Sequence, residues 1–400
     1  MKDGSNAGDG THSRRKFIAI GGAAGVVGLA GCSAEQVDNG DGSDDGTGGN
    51  GDESDDETGG NGDGSDDDGD GAGDLSGTLR VATYSSMVDG EDPAGPWIKE
   101  AFEAEYPDAE IEWTVPESGV NTYIQQAQQG AIDADVYLGL NVDDLVRIDD
   151  NLEDGLFDSI ERDRIGRVDR IRDDLGFGDP EDRVLPFDTG YISLVYDESE
   201  VDDPETFDDL LTEEYADALI TQNAQASDPG QAFLLWTIAE YGEDGYLDYW
   251  RDLQENGVQV GDDWTDTYFG AYMAEERPMI VSYSTDQVFH AGDGADLTRH
   301  QVGFLDGQAY ENPEGVAVFT DSDRSSLAHE FIDFLLSSEA QAEIATRNVQ
   351  FPAVSDEHVE LGDFFEQHAH APDEPVSLDY DELRGNLDGW VDDWAREIAQ

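Results

Sequence analysis

Residues 35–74 set the first limit on what this chain can fold into: they hold 16 acidic residues, no lysine or arginine, and hardly an apolar side chain. A segment of that composition has too little apolar surface to offset the entropy lost on folding. It reads as a tether, since a flexible chain of about 40 residues reaches on the order of 35 Å and charge repulsion extends it further. Folding is left to the stretch from Ser76 to Gln400, about 325 residues, enough for two lobes with substantial cores. That body is acidic as well. The whole chain carries 95 acidic and 20 basic residues for a net charge of -75, and 77 of the acids against 16 of the bases lie between residues 76 and 400. Self-repulsion on this scale opposes a compact state in dilute buffer, whereas at 1 M salt the screening length falls to about 3 Å. Concentrated salt is therefore the expected solvent. The same charge argues against a nucleic-acid partner, because phosphate binding needs clustered Lys and Arg.

Ahead of the tether, residues 13–32 combine Arg14-Arg15, an apolar run rich in Gly and Ala from Phe17 to Gly31, and Cys32. The run is shorter than the roughly 20 apolar residues that span a bilayer, so it reads as an export signal and not as an anchor helix. Leu29-Ala30-Gly31-Cys32 resembles a lipobox. That likeness implies cleavage before Cys32, lipidation of its side chain, and a protein held on the extracellular face of the cell membrane. Arg14 and Arg15 imply export by the twin-arginine route. The expected organisation is a signal over 1–32, a tether over 33–75 and a folded domain over 76–400. Cys32 is the only cysteine, so the folded domain is expected to have no disulfide, thiolate metal site or cysteine nucleophile.

In the body, apolar periodicity predicts a strand over 78–84 and a helix over 97–106, then a strand over 111–115, a helix over 121–130 and a buried strand over 134–140. Alternation of this kind implies an α/β lobe with a parallel sheet. A turn-like 185–190 precedes a strand over 191–196, and a helix over 231–241, strands over 279–283 and 315–319, a helix over 325–336 and a closing helix over 380–399 follow. The chain is expected to cross between lobes more than once. The first lobe is placed at about 76–186 with a returning segment at about 286–330, and the second at about 187–285 with about 331–400.

No Gly-Lys-Ser/Thr phosphate loop, Gly-x-Ser-x-Gly elbow or His-Glu-x-x-His pair occurs, which removes weight from the enzyme classes built on them. His368 and His370 with Asp363 and Glu366 read as a solvated acidic surface and not as metal ligands. In so acidic a chain, pairs of carboxylates carry no signal of their own. Aromatic residues at strand ends and in loops do stand out: Tyr84, Trp264, Tyr283 and Phe289.

These aromatics sit within segments that resemble the thiamine-binding proteins of bacterial ABC importers. The segments are Thr83-Tyr84-Ser85-Ser86, the helix start at Gly95-Pro96-Trp97, Ala134-Asp135-Val136-Tyr137, Pro186-Phe187-Asp188-Thr189-Gly190-Tyr191, Pro229-Gly230 with Leu234-Leu235-Trp236, Trp264-Thr265-Asp266-Thr267-Tyr268 and Val281-Ser282-Tyr283. The likeness covers about residues 78–355 and continues weakly to Trp394. It implies a two-lobed α/β, periplasmic-binding-protein-like fold that closes on its ligand in a cleft between lobes, without catalysis and without a cofactor. It implies as partners an ABC permease with its ATPase, and a monomeric receptor. By the family's pattern, Tyr84, Trp264, Tyr283 and Phe289 line the thiamine site, and Ser227 and Gly230 lie where a hydroxyl or phosphate end is met. The family often has Tyr where this chain has Phe289. It also carries a Trp in the loop before Pro96, where this chain offers Asp92 or its neighbours, and another where this chain has Val349; these departures bear on which vitamer is bound.

Thiamine joins a permanently cationic thiazolium to a flat aminopyrimidine, so ring faces can stack on both and attract the charge, each contact being worth roughly 0.5 to 2 kcal/mol when desolvated. A buried Asp188 is expected to add attraction that molar salt does not screen. A receptor of the same fold for a polyamine or ferric ion is the alternative, which would need carboxylates at both ends of a groove or paired tyrosines with a His or Glu.

Overall fold

A computed structural model describes residues 75–89, 92–292 and 294–399; Arg14, Arg15, Cys32 and the acidic tether lie outside the described residues. One half of the described chain is built on three parallel strands. β1 (Gly77–Ala82) runs between β2 (Ala109–Thr114) and β3 (Val136–Leu140), with crossover helices α1 (Ser85–Val88), α2 (Ala94–Glu105) and α3 (Val120–Ala127), and with α4 (Val142–Asn151) after β3. The other half has the same logic. β5 (Leu219–Gln222) lies between β6 (Gln259–Gly261) and β7 (Met279–Tyr283), all parallel, and α5 (Asp228–Tyr241) and α6 (Tyr246–Glu255) connect β5 to β6.

Two long antiparallel strands join the halves. β4 (Val184–Tyr196) pairs with β7 at its C-terminal end, and β9 (Gln308–Val318) pairs with β3 at its own C-terminal end. β4 and β9 pair with each other along most of their length, giving the order β2-β1-β3-β9-β4-β7-β5-β6. Both strands leave one parallel sheet and enter the other, so they connect the two halves. The turn expected at 185–190 is instead the first half of β4. Pro186 is accommodated because the β4–β9 register shifts between Pro186 and Asp188, a bulge of the kind where a sheet tolerates proline and re-aims a neighbouring side chain.

The helices follow apolar content. In α5, residues Pro229 to Ile238 are all buried, which marks a helix enclosed on every side. α8 (Ser325–Leu335) and α9 (Ser338–Arg347) pack in one core with β1, β2 and α2, through Leu327, Phe331, Ile332 and Ile344 against Leu79, Ile98, Phe102 and Ile111. The stretch from 331 therefore begins in the first lobe, where the sequence division had put it in the second. Likewise β8 (Gln301–Gly303) pairs with the second-lobe end of β4. The expected closing helix is broken at Gly385, whose φ of 75° is open to glycine and costly for other residues. It becomes α11 (Tyr380–Leu383), against α4, and α12 (Leu387–Ile398), against α6 and α4. Ahead of both, α10 (Asp363–His368) packs on α7 (Asp286–His290).

Buried Trp394 meets Trp250 edge-on at 5.4 Å, and Trp250 donates its indole N–H to Thr237 at 2.9 Å. The acidic excess lies largely outside such cores, on side chains as open as Asp217, Asp248 and Glu357. Raising KCl from about 0.1 M to molar levels is expected to lift the thermal midpoint steeply, since screening removes repulsion between exposed acids. A midpoint insensitive to salt would contradict this account of the surface.

Candidate functional site

The β4–β9 register places Asp188 directly opposite Glu314. Two acids facing each other across a strand pair repel, so this pairing needs a positive partner. Among the described residues, no arginine or lysine lies within 4.0 Å of either carboxylate. What surrounds them is a set of polar and aromatic groups. Asn348 donates from its side-chain nitrogen to Asp188 Oδ2 and to Tyr84 Oη, both at 2.8 Å, and Tyr84 Oη donates to Glu314 Oε2 at 2.6 Å. Asp188 is fully buried, and its Oδ1 has no hydrogen-bond partner among the described residues. A buried unsatisfied carboxylate oxygen is costly, and a ligand donor arriving there would remove the penalty.

The backbone is shaped to hold this set. Tyr84 caps the end of β1 and its ring lies over Gly139 in β3, where a Cβ would collide with it and where φ is +100°. Asn348 follows α9 immediately before Val349, which has φ 57°. A β-branched residue in the left-handed region is an outlier, and such strain gathers at ligand sites.

Further acids converge from the helix starts. Asp228 is the first residue of α5, and Asp143 and Asp144 lie in the first turn of α4. Arg147 holds Asp144 at 2.9 Å and lies 3.8 Å from Asp143, while Gln231 bonds both Arg147 and Asp143. Desolvation dominates the electrostatics. Burial, then the charge of Glu314, pushes the Asp188 carboxyl well above the usual range. Burial raises Glu314 to about 7, against the opposing hydrogen bond from Tyr84. Asp228 keeps contact with solvent, yet the crowded cleft around it and the charge of Asp143 push it up to about 6, and burial and Asp143 push Asp144 to about 8. Tyr283 and Tyr84 stay protonated for the same reason, with burial first and the charges of Glu314 and Asp188 among the causes. The arrangement gathers several acids whose charged forms burial opposes, beside Tyr84 and Tyr283.

The structure brings Tyr84, Asp188 and Tyr283 into one electrostatic neighbourhood with Glu314 and Asp228. Ser227 is the buried residue that precedes α5, beside Asp228. Gly230 has a reason of its own in packing: a Cβ there would come within 2.5 Å of the Gln222 carbonyl oxygen in β5. Trp264 reaches the same end of the second lobe, donating its indole N–H to Ser282 Oγ at 3.0 Å, next to Tyr283. Phe289, on α7, meets His290 edge-on at 4.9 Å. Of the acidic and histidine stretch, Asp363 and Glu366 are exposed, and His370 is used within the second lobe, 3.0 Å from Gln287 Oε1. Glu314, Asn348, Asp228 and Asp144 were not foreseen. Glu314 lies in Asn312-Pro313-Glu314-Gly315, which reads as a turn, and only its pairing with a strand 126 positions earlier shows its part.

The chain is similar to known proteins over most of its length. The profile of the family described as bacterial extracellular solute-binding protein matches residues 146–380. The thiamine-binding periplasmic protein of Escherichia coli strain K12 is 28% identical over 331 residues, covering 80% of this chain and 94% of that protein. That of Haemophilus influenzae is 29% identical over 281 residues, covering 70% and 81%. A solved periplasmic thiamin binding protein superposes with a TM-score of 0.68 at 25% identity, over 82% of this chain and 98% of the other. A ferric binding protein from Campylobacter jejuni superposes with a TM-score of 0.64 at 17% identity, over 80% and 99%, and so shares the fold.

Proposed function

We infer, from a chain that belongs to the bacterial extracellular solute-binding protein family, that this receptor captures thiamine or a phosphate ester of it in the cleft between its lobes and presents it to an ABC permease. The family is one of binding proteins and not of enzymes. The observation that carries the reading is Asp188 opposite Glu314, with no cationic neighbour among the described residues and with Tyr84 and Tyr283 beside the pair. A thiazolium brings a positive charge that needs no proton. Two charges about 4 Å apart at an effective dielectric near 20 attract by about 4 kcal/mol before desolvation is subtracted, and ring faces add roughly 0.5 to 2 kcal/mol each. The aminopyrimidine supplies the N–H donor that Asp188 Oδ1 lacks. A flat cation uses both the carboxylates and the rings, whereas a polyamine uses mainly the carboxylates.

Thiamine added in molar salt is expected to quench tryptophan emission saturably. Saturable binding of spermidine with no response to thiamine would move the assignment to a polyamine receptor.

The receptor is proposed to stay on the extracellular membrane face through lipid on Cys32, with residues 33–75 as its tether and the body working as a monomer. Cys32→Ser is expected to abolish acylation and to release the protein or leave it unprocessed, and Arg14→Lys with Arg15→Lys to stop export. Mass spectrometry of the mature N-terminus and fractionation of cells check both; an unacylated wild type, or normal export of the double variant, contradicts them.

A further inference from the structure

Behind Trp264 lies a column of four near-parallel rings. Trp264 stacks on Tyr268 (4.8 Å, 22°), Tyr268 on His290 (5.9 Å, 20°) and His290 on His300 (3.8 Å, 19°). Tyr268 sits in a wide π-type turn over Asp266–Tyr272, a local geometry that recurs at functional sites, and it is 1% exposed. Its hydroxyl is the centre of a closed network. Tyr268 Oη donates to Asp286 Oδ1, His300 Nδ1 lies 2.7 Å from Asp286 Oδ2, and His290 Nε2 lies 2.9 Å from Tyr268 Oη. With the Tyr268 phenol donating to Asp286, His290 donates from Nε2 to Tyr268 Oη and His300 donates from Nδ1 to Asp286 Oδ2. Burial holds His290 neutral, down to about 4.

Asp286, His290 and His300 place their donor atoms within 4.8 Å of one another, but the two imidazole planes are nearly parallel, so their lone pairs do not converge on one ion. The Tyr268 hydroxyl already fills the space between them. The nearby Arg299 is engaged elsewhere, paired with Asp197 at 2.9 Å and lying 4.4 Å over the Tyr272 ring. Asp286 therefore sits at the base of the column as a carboxylate that Tyr268 and His300 hold in place.

The geometry points to Asp286 as a positioning residue for the Trp264 wall: through Tyr268 it fixes the indole face that meets the ligand, and its charge beneath the rings makes that face favour a cation over a neutral heterocycle. This rests on the reading of Trp264 as a wall of the thiamine cleft. Ser282 pins one edge of the indole and Tyr268 supports its plane, so the ring is organised before ligand arrives and less ordering accompanies binding. A buried carboxylate acts through the protein interior, where salt screens it little.

The test compares thiamine with its neutral half, 4-amino-5-hydroxymethyl-2-methylpyrimidine, on the mature protein in molar salt. Asp286→Asn preserves the acceptor for Tyr268 while removing the charge. It is expected to weaken thiamine about ten- to twenty-fold, the size of a single charge acting at a distance of about 10 Å at an effective dielectric near 20, and to leave the neutral half within two-fold of wild type. Equal weakening of both ligands, or of neither, overturns the inference. Tyr268→Phe is the second variant: it keeps the stacked ring and cuts the tie to Asp286. It is expected to flatten the near-ultraviolet ellipticity of Trp264 and to weaken thiamine by a similar factor, and an unchanged spectrum with unchanged affinity overturns the positioning role even where the Asp286 variant does not fold. A wild type that ignores thiamine defeats the cleft reading itself, separately from either variant.

Discussion

Asp188→Asn combined with Glu314→Gln is expected to lower thiamine affinity by about 2 to 4 kcal/mol, the scale of removing buried charges that face a desolvated cation. The amides keep the size and part of the hydrogen bonding to Asn348 and Tyr84, so the loss is electrostatic and not a collapse of the cleft. The ligand-free double variant is expected to be more stable than wild type at pH 8, because the opposed pair no longer repels. The sign follows from linkage. Folding raises Glu314 to about 7 and Asp228 to about 6 above their unfolded values, so the folded state holds protons that the unfolded state has released. Ligand-free stability is therefore greatest near the unfolded carboxylate range and falls as pH rises through 6 and 7. Thiamine reverses this by favouring the charged carboxylates, so its affinity is expected to rise with pH from 5 to 8 and its binding to release protons. Titrations of wild type and double variant across that range check it, and an affinity independent of pH in the wild type speaks against carboxylate recognition.

Trp264→Ala is expected to cost about 1 to 3 kcal/mol of thiamine binding, as for other buried aromatic contacts with a cation, and to leave the fold intact, since the ring is only half-buried beside Tyr268. Trp264→Phe should recover part of the loss because a smaller face remains. Quenching of the remaining tryptophans separates the effects: an alanine variant that binds as tightly as wild type places Trp264 in packing alone.

Local pattern carried much of the architecture. Met279–Tyr283 and Val136–Leu140 are short, largely apolar runs, and they fold as the interior strands such runs predict. Long-range pairing was not legible. Residues 185–190 read as a turn because Pro186 and Gly190 punctuate them, and only β9, which arrives more than a hundred residues later, makes them strand. The same pairing creates the opposed acids, so Glu314 was invisible in a chain with 95 acids, whereas Asp188 was reached through family likeness. Tyr84, Trp264 and Tyr283 stood out as large rings at strand ends and in loops, and their place in the proposed cleft rests on family likeness. Their support was not visible, because Tyr268, Asp286 and His300 are brought together by tertiary packing.

The most direct test of the cleft is calorimetric titration of the mature protein with thiamine at pH 7.5 in molar salt, repeated in two buffers of different ionisation heat. The account predicts one thiamine per chain and a binding heat that differs between the buffers in the direction of proton release. No thiamine heat, with one-to-one binding of spermidine or ferric ion under the same conditions, would contradict it.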